Sequence, residues 1–167
     1  ELIVVDLPGA YSMSPFTSEE SVTRDYINNQ KPDVIINIVD ATNLSRSLFF
    51  TTQLLELNIP VVVALNKSDL NKKKQNKINT ELLCQKLSCP VIETISTSAN
   101  GLENVVKSAV EVIGKCQFAP FVQGNIDLTS KSQVKDVDKK RFQFVKSIVK
   151  DVETRKFFTN DRNSQDK

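Results

Sequence analysis

Four short runs rich in β-branched apolar residues, at 2–5, 34–39, 61–65 and 91–95, constrain this chain more than anything else in it. A strand that is apolar on both faces has to be covered from above and below, which is the condition of a parallel sheet flanked by helices. Helical spacing fills the intervals. Ser18–Gln30 opens with acidic residues, and 44–57 puts Leu44, Leu48 and Leu55 on one stripe before Pro60. Thr80–Leu87 reads as a shorter helix, and 102–113 carries apolar residues at 102, 105, 106, 109, 112 and 113, the clearest amphipathic pattern of all. Strand and helix alternate, so the fold class is α/β with three layers.

At 167 residues, 40% apolar and 25% charged, the chain has the size and composition of one domain with a real core. Its 22 basic and 20 acidic side chains nearly cancel, so no overall field points to nucleic acid. There is no histidine, which excludes Ser-His-Asp and Cys-His triads and imidazole acid–base chemistry. Cys84, Cys89 and Cys116 lack metal or redox spacing and read as small side chains rather than an iron site. The longest apolar run, 60–65, is far short of the ~20 residues of a membrane helix.

Organisation follows composition. Residues 1–115 hold the strand–helix repeats, 116–135 reads as a linker, 136–158 as an amphipathic helix packing back on the domain, and 159–167 as a frayed polar tail. The basic run 71–77 reads as a solvated loop.

Three constellations stand at the C-terminal ends of strands, where open parallel sheets place ligands. Asp6-Leu7-Pro8-Gly9 follows the first run. An Asp-x-x-Gly there suits a nucleotide triphosphatase, the aspartate (Asp6) holding Mg²⁺ through water and the glycine N–H approaching a γ-phosphate. Asn66-Lys67-Ser68-Asp69 follows the third run. Its Asp69 carboxylate matches the paired N1–H and N2–H₂ donors of guanine, while Asn66 organises the loop and contacts the base edge and the Lys67 stem lies along the purine. Thr97-Ser98-Ala99 follows the fourth, a small-residue loop whose backbone N–H groups suit the base carbonyl. Each pattern alone is compatible with an ordinary turn; their order along successive strands points to GTP.

Residues 6–101 resemble the G domain of the ferrous iron transport protein B (FeoB) family. The similarity runs through Asp6-Leu7-Pro8-Gly9-Ala10-Tyr11-Ser12, Ser14-Pro15-Phe16, Ser18-Glu19-Glu20 and Val22-Thr23-Arg24-Asp25. It continues through Val39-Asp40-Ala41-Thr42-Asn43-Leu44-Ser45-Arg46, Gln53-Leu54-Leu55-Glu56-Leu57 and the words from Ile59 to Asn66. The resemblance implies a P-loop NTPase/Ras-like parallel sheet that binds GTP or GDP with Mg²⁺. It also implies a slow GTPase on the cytoplasmic face of the bacterial membrane, joined to an Fe²⁺-transporting membrane portion of the same or a companion chain. Where Ras-like proteins orient the attacking water with glutamine, this chain has Ala10, which cannot hydrogen-bond water through its side chain.

The phosphate-binding Gly-x-x-x-x-Gly-Lys-Ser/Thr loop expected before Asp6 is missing, since Gly9, Gly101, Gly114 and Gly124 are the only glycines. By the resemblance, the strand feeding that loop lies at the sheet centre, so the fold expected here is a truncated sheet lacking its central first strand, plus a C-terminal helix. The strands at 2–5 and 34–39 then either pair directly or leave a gap. Hydrolysis and tight nucleotide binding are not expected of the chain by itself. Two other readings stay open: a non-catalytic remnant serving as a binding module, and a different GTPase-like protein. A ribosome-associated member of the latter class would carry a basic RNA-binding domain, which the near-neutral C-terminal third does not suggest.

Overall fold

The computed structural model describes the backbone of residues 2–12, 18–73, 75–124 and 130–154, and the side chains of these except at 18–20 and 131. The Ser14-Pro15-Phe16 stretch, the polar tail from 159 and the last residues of the expected 136–158 helix lie outside them.

Three of the four apolar runs become strands of one parallel sheet, β1 (Ile35–Asp40), β2 (Val61–Asn66) and β4 (Val91–Glu93), in the order β1-β2-β4. Ile36 stands opposite Val62 and Ile38 opposite Ala64, while Val63 stands opposite Val91. Every residue of 61–65 is buried, as a run apolar on both faces requires of a central strand. A second ribbon pairs β3 (Lys77–Ile78) with β5 (Glu153–Thr154) antiparallel.

One face of the sheet is fully covered. Helix α2 (Leu44–Leu55) lays Leu44, Leu48 and Leu55 into the core, each at 1% exposure or less, and α4 (Thr80–Leu87) adds Leu83 and Leu87. Helix α1 (Ser18–Gln30) contributes Ile27. Short α3 (Ser68–Lys73) leaves β2 directly, so part of the basic run at 71–77 is helix and part is β3 rather than loop.

Helix α6 (Lys131–Val152) packs on α2 and α4 through Val145, Ile148, Val149 and Val152. It starts at Lys131, ahead of the boundary at 136 read from the sequence, because Val134 and Val137 continue its inward stripe into the polar first turns. Arg141 is fully buried at its centre, donating to Glu56 Oε2 at 2.5 Å and Thr52 Oγ1 at 3.3 Å and stacking over Phe121. The stretch 116–124 is fastened rather than slack: Gln117 bonds Val61 at both N–H and C=O, and the Gln123 N–H donates to Glu56.

Among the described residues, the opposite face carries α5 (Leu102–Val112) as its one helix, whose Val105, Ala109 and Val112 cover Val62 and Ala64 of β2. Residues 2–5 form no strand, in contrast to the sequence expectation; of the two outcomes foreseen, the gap is what forms. Leu2, Ile3, Val4 and Val5 are 48–86% exposed, because a strand exists only where a neighbour takes up its backbone hydrogen bonds, and β1 does not reach it.

Candidate functional site

Asn66 ends β2 one residue past the buried run and turns its amide toward the loop after β4. Its Oδ1 accepts from the Ser96 N–H at 3.1 Å and its Nδ2 donates to Ser96 Oγ at 3.2 Å. Thr94 Oγ1 donates to the same Oδ1 at 3.5 Å. Ser68, 6% exposed, adds a second tie by donating to Thr94 O at 3.3 Å. Two loops from neighbouring strands are thereby held as one platform.

Lys67 takes a left-handed backbone, φ 63°, which swings its side chain toward β1. Its Nζ donates to Asp40 Oδ2 at 2.6 Å, and Asp40 is itself held by the Thr42 N–H at 2.8 Å and Thr42 Oγ1 at 2.7 Å. Partial burial pushes the Asp40 carboxyl upward, but the hydrogen bonds from Lys67 and Thr42 outweigh it and hold Asp40 below the usual carboxylate value. The same bond raises Lys67. All three strand ends are thus tied together.

Asp69 sits in the first turn of α3, where the backbone N–H groups favour negative charge. It is half-buried, and among the described residues its carboxylate meets no hydrogen-bond or ion-pair partner. A carboxylate held by its helix but unengaged is free to accept two parallel N–H donors from a ligand.

The loop after β4 is a tight turn. Ser96–Ser98 forms a single 3-10 turn closed by a left-handed Ala99, φ 56°, whose N–H is already given to Ser96 O at 3.3 Å. Thr97, Ser98 and Ala99 are exposed on this turn, whereas Ser96, passed over in the sequence, makes the contacts to Asn66. The sequence alone does not set Ser96 apart from Ser98; the turn does. Gly101 closes the loop at φ 81°, with any Cβ brought to 2.2 Å from Glu93 O.

The Asp6-Leu7-Pro8-Gly9 stretch lies apart from this platform in character. It has no regular structure, Asp6 and Gly9 are exposed, and a Cβ on Gly9 would touch nothing within 4 Å. Its anchors are Thr23 Oγ1, which donates to Pro8 O at 3.3 Å, and Arg46, which stacks 4.0 Å from the Tyr11 ring centroid. No group of three or more Asp, Glu, Cys or His side chains able to hold a metal occurs among the described residues. Asp6 by itself does not make up a Mg²⁺ site.

Residues 1–109 match the family described as ferrous iron transport protein B. The chain is 42% identical over 115 residues to the Fe(2+) transporter FeoB of Salmonella typhimurium, and as similar to that of Escherichia coli. Each match covers 66% of this chain and only 15% of the relative. Among solved structures, mGMPPNP-bound NFeoB from S. thermophilus superposes with a TM-score of 0.68 at 32% identity, over 92% of this chain and 80% of that one. The cytosolic domain of L. pneumophila FeoB, 23% identical, shares the fold with a TM-score of 0.79 over 90% of this chain and 79% of that one. Profile, sequence and superposition converge, and the chain belongs to the ferrous iron transport protein B family.

Proposed function

We propose that this chain is the base-reading part of a guanine-nucleotide-binding domain that governs ferrous iron passage through a membrane-spanning portion of the same or a companion chain. The observation that carries the reading is the unengaged Asp69 carboxylate at the start of α3, beside an Asn66 whose amide is spent on Ser96. In this assignment Asp69 accepts the two edge donors of guanine, Asn66 holds the platform, and Lys67, fixed by Asp40, lays its stem beside the purine. Ser68 braces the loop from below, and the turn at Thr97, Ser98 and Ala99 covers the base carbonyl.

The phosphate end is assigned a different status. Asp6, Leu7, Pro8 and Gly9 are the γ-phosphate-sensing stretch of the complete domain, with Asp6 the water-mediated Mg²⁺ contact. With no phosphate loop in the chain and Ala10 in place of a water-orienting amide, we assign the chain negligible GTP hydrolysis and weak nucleotide affinity. No described helix is long and apolar enough to cross a membrane; in this reading the chain lies at the cytoplasmic face of the bacterial membrane and the transport step belongs to the membrane-spanning portion. Support comes from the nucleotide named with the S. thermophilus relative and from the transporters named with the curated ones.

Titration with fluorescent GDP and with xanthosine diphosphate tests the assignment. Weak binding with preference for GDP is expected, reversed toward xanthosine diphosphate in Asp69→Asn, because an amide replaces an acceptor by a donor. Equal affinities in both proteins sink the base-reading role; submicromolar GDP affinity sinks the weak-binding assignment.

A further inference from the structure

Ser68, Asn71 and Lys72 fall three and four residues apart on α3 and share one side of the helix, a different side from Asp69. That side borders a cavity of about 340 Å³, with Ala41 and Leu65 at its floor and Ile78 of β3 across from the helix. Ala41 and Leu65, at 0% and 1% exposure, belong to the core that α2 and α4 cover, so the floor is fixed by packing. The far wall is fixed by hydrogen bonds. Strand β3 pairs with β5, the Asn79 N–H donates to Val152 O at 2.8 Å, and the Asn76 N–H donates back to Asn71 O at 3.0 Å. The space is therefore preformed rather than opened by a moving loop.

The polar groups in its wall are acceptors. Asn71 is only 4% exposed, and among the described residues its Oδ1 has no hydrogen-bond partner. A buried amide oxygen in that state costs free energy until a donor reaches it. The last torsion of an asparagine is soft, so a donor placed in the cavity can draw Oδ1 toward it. Ser68 Oγ gives its proton to Thr94 O at 3.3 Å and has only lone pairs left to offer. Charge is spent at the rim, where Lys72 and Glu93 pair at 2.8 Å and the exposed Lys77 keeps its ammonium in water. An ionic ligand would find no free counterion among these residues. One water would serve Asn71, but it takes only ~30 Å³ and leaves the apolar floor wet.

We propose that the cavity between α3 and β3 is a binding site for a small uncharged molecule with an apolar body and an N–H or O–H donor. The donor bonds Asn71 Oδ1, and the body lies against Ala41, Leu65 and Ile78. The volume is at the small end of ligand cavities, ~300–1,000 Å³, and suits a compound of one or two rings. The site lies on a different side of α3 from Asp69 and stands whether or not the nucleotide assignment does.

The test titrates the full chain, isotope-labelled for NMR, with two compounds of one shape: indole, whose ring N–H donates, and benzofuran, whose ring oxygen cannot. Saturable shifts of the Asn71 side-chain amide and the Ile78 methyl groups are expected with indole, and binding of benzofuran at least about tenfold weaker, since the amide oxygen is then covered without a donor. Asn71→Leu exchanges an unpartnered amide for an apolar group of similar shape, so its urea midpoint should not fall, while the preference for indole over benzofuran disappears. Shifts that do not saturate, or that appear at the exposed Val106 and Val110 instead, overturn the inference. So does equal affinity of the parent chain for the two compounds, or a preference that survives in Asn71→Leu. Should that variant fail to fold, the comparison of the two compounds on the parent chain decides by itself.

Discussion

Asn66 grips Ser96 at both ends of its amide, accepting from the backbone N–H at 3.1 Å and donating to Oγ at 3.2 Å. The contact spans two loops that leave different strands, whereas the bonds from Ser98 N–H and Oγ to Ile95 O and from Ala99 N–H to Ser96 O stay within the one loop. Asn66→Ala is expected to lose about 1–2 kcal/mol, from two to three partly solvated hydrogen bonds. Urea unfolding measures the loss, and faster amide exchange at Ser96 than at the β2 amides locates it.

Gly101 is required by geometry. Its φ of 81° is left-handed, and a Cβ there meets a backbone oxygen at 2.2 Å, an atom that cannot rotate away. Gly101→Ala should cost more than about 2 kcal/mol and displace the start of α5, whereas the same change at Gly114, where nothing lies within 4 Å, should meet only the backbone penalty of its own positive φ. Paired denaturation curves of the two variants decide this.

Among the described residues Arg141 is the largest side chain fully enclosed, with Glu56, the residue that caps α2, as its counterion. Removing it leaves a carboxylate at 15% exposure with its main partner gone. Arg141→Ala is expected to destabilise by about 3–5 kcal/mol, and Arg141→Met with Glu56→Leu to recover most of that by restoring packing without charge. Failure of the double variant to recover stability contradicts this account.

The Asp40–Lys67 pair gives the protein a defined pH response. Asp40 is held below its unfolded value of 3.8, so its contribution is fully present above that pH and is lost as pH falls through the folded value. Lys67 is raised above 10.5, so its share is intact below that pH and disappears on strong alkalinisation. Asp40→Asn should therefore flatten the stability profile on the acid side while leaving the slope between pH 6 and 9 unchanged. Chemical denaturation at a series of pH values gives the comparison.

Thiol chemistry should be ordered by burial. Cys89 is buried and its thiol is pushed up to about 12 by desolvation and then by Cys84, so almost no thiolate exists near neutrality. Cys116 is exposed. A chromogenic disulfide reagent at pH 8 is expected to label Cys116 first, a phase that Cys116→Ser removes, and to reach Cys89 only on unfolding.

Much of the fold could be read from periodicity. Leu44, Leu48 and Leu55 all lie in the core because helical spacing records which side a helix turns inward. Periodicity does not record what stands next to a strand, so Leu2, Ile3, Val4 and Val5 read as a strand and are solvated backbone instead. The loops at 66–69 and 96–99 were legible as strand ends. Which serine bonds Asn66 was not, because Ser96 and Ser98 are alike until the turn places one of them beneath the amide. Asp40 was visible only as part of a family word, its tie to Lys67 depending on the register of β1 against β2.

The carboxamide of Gln117 occupies the overhang of β2, where Val61 lies below the first residue that β4 pairs, and satisfies both backbone groups there. A side chain is acting as the missing rung of the ladder. The practical consequence concerns where to cut the gene: an expression boundary set at 116 on composition removes that rung and bares the foot of the central strand. One set past 124 keeps both this rung and the clasp between Gln123 and Glu56.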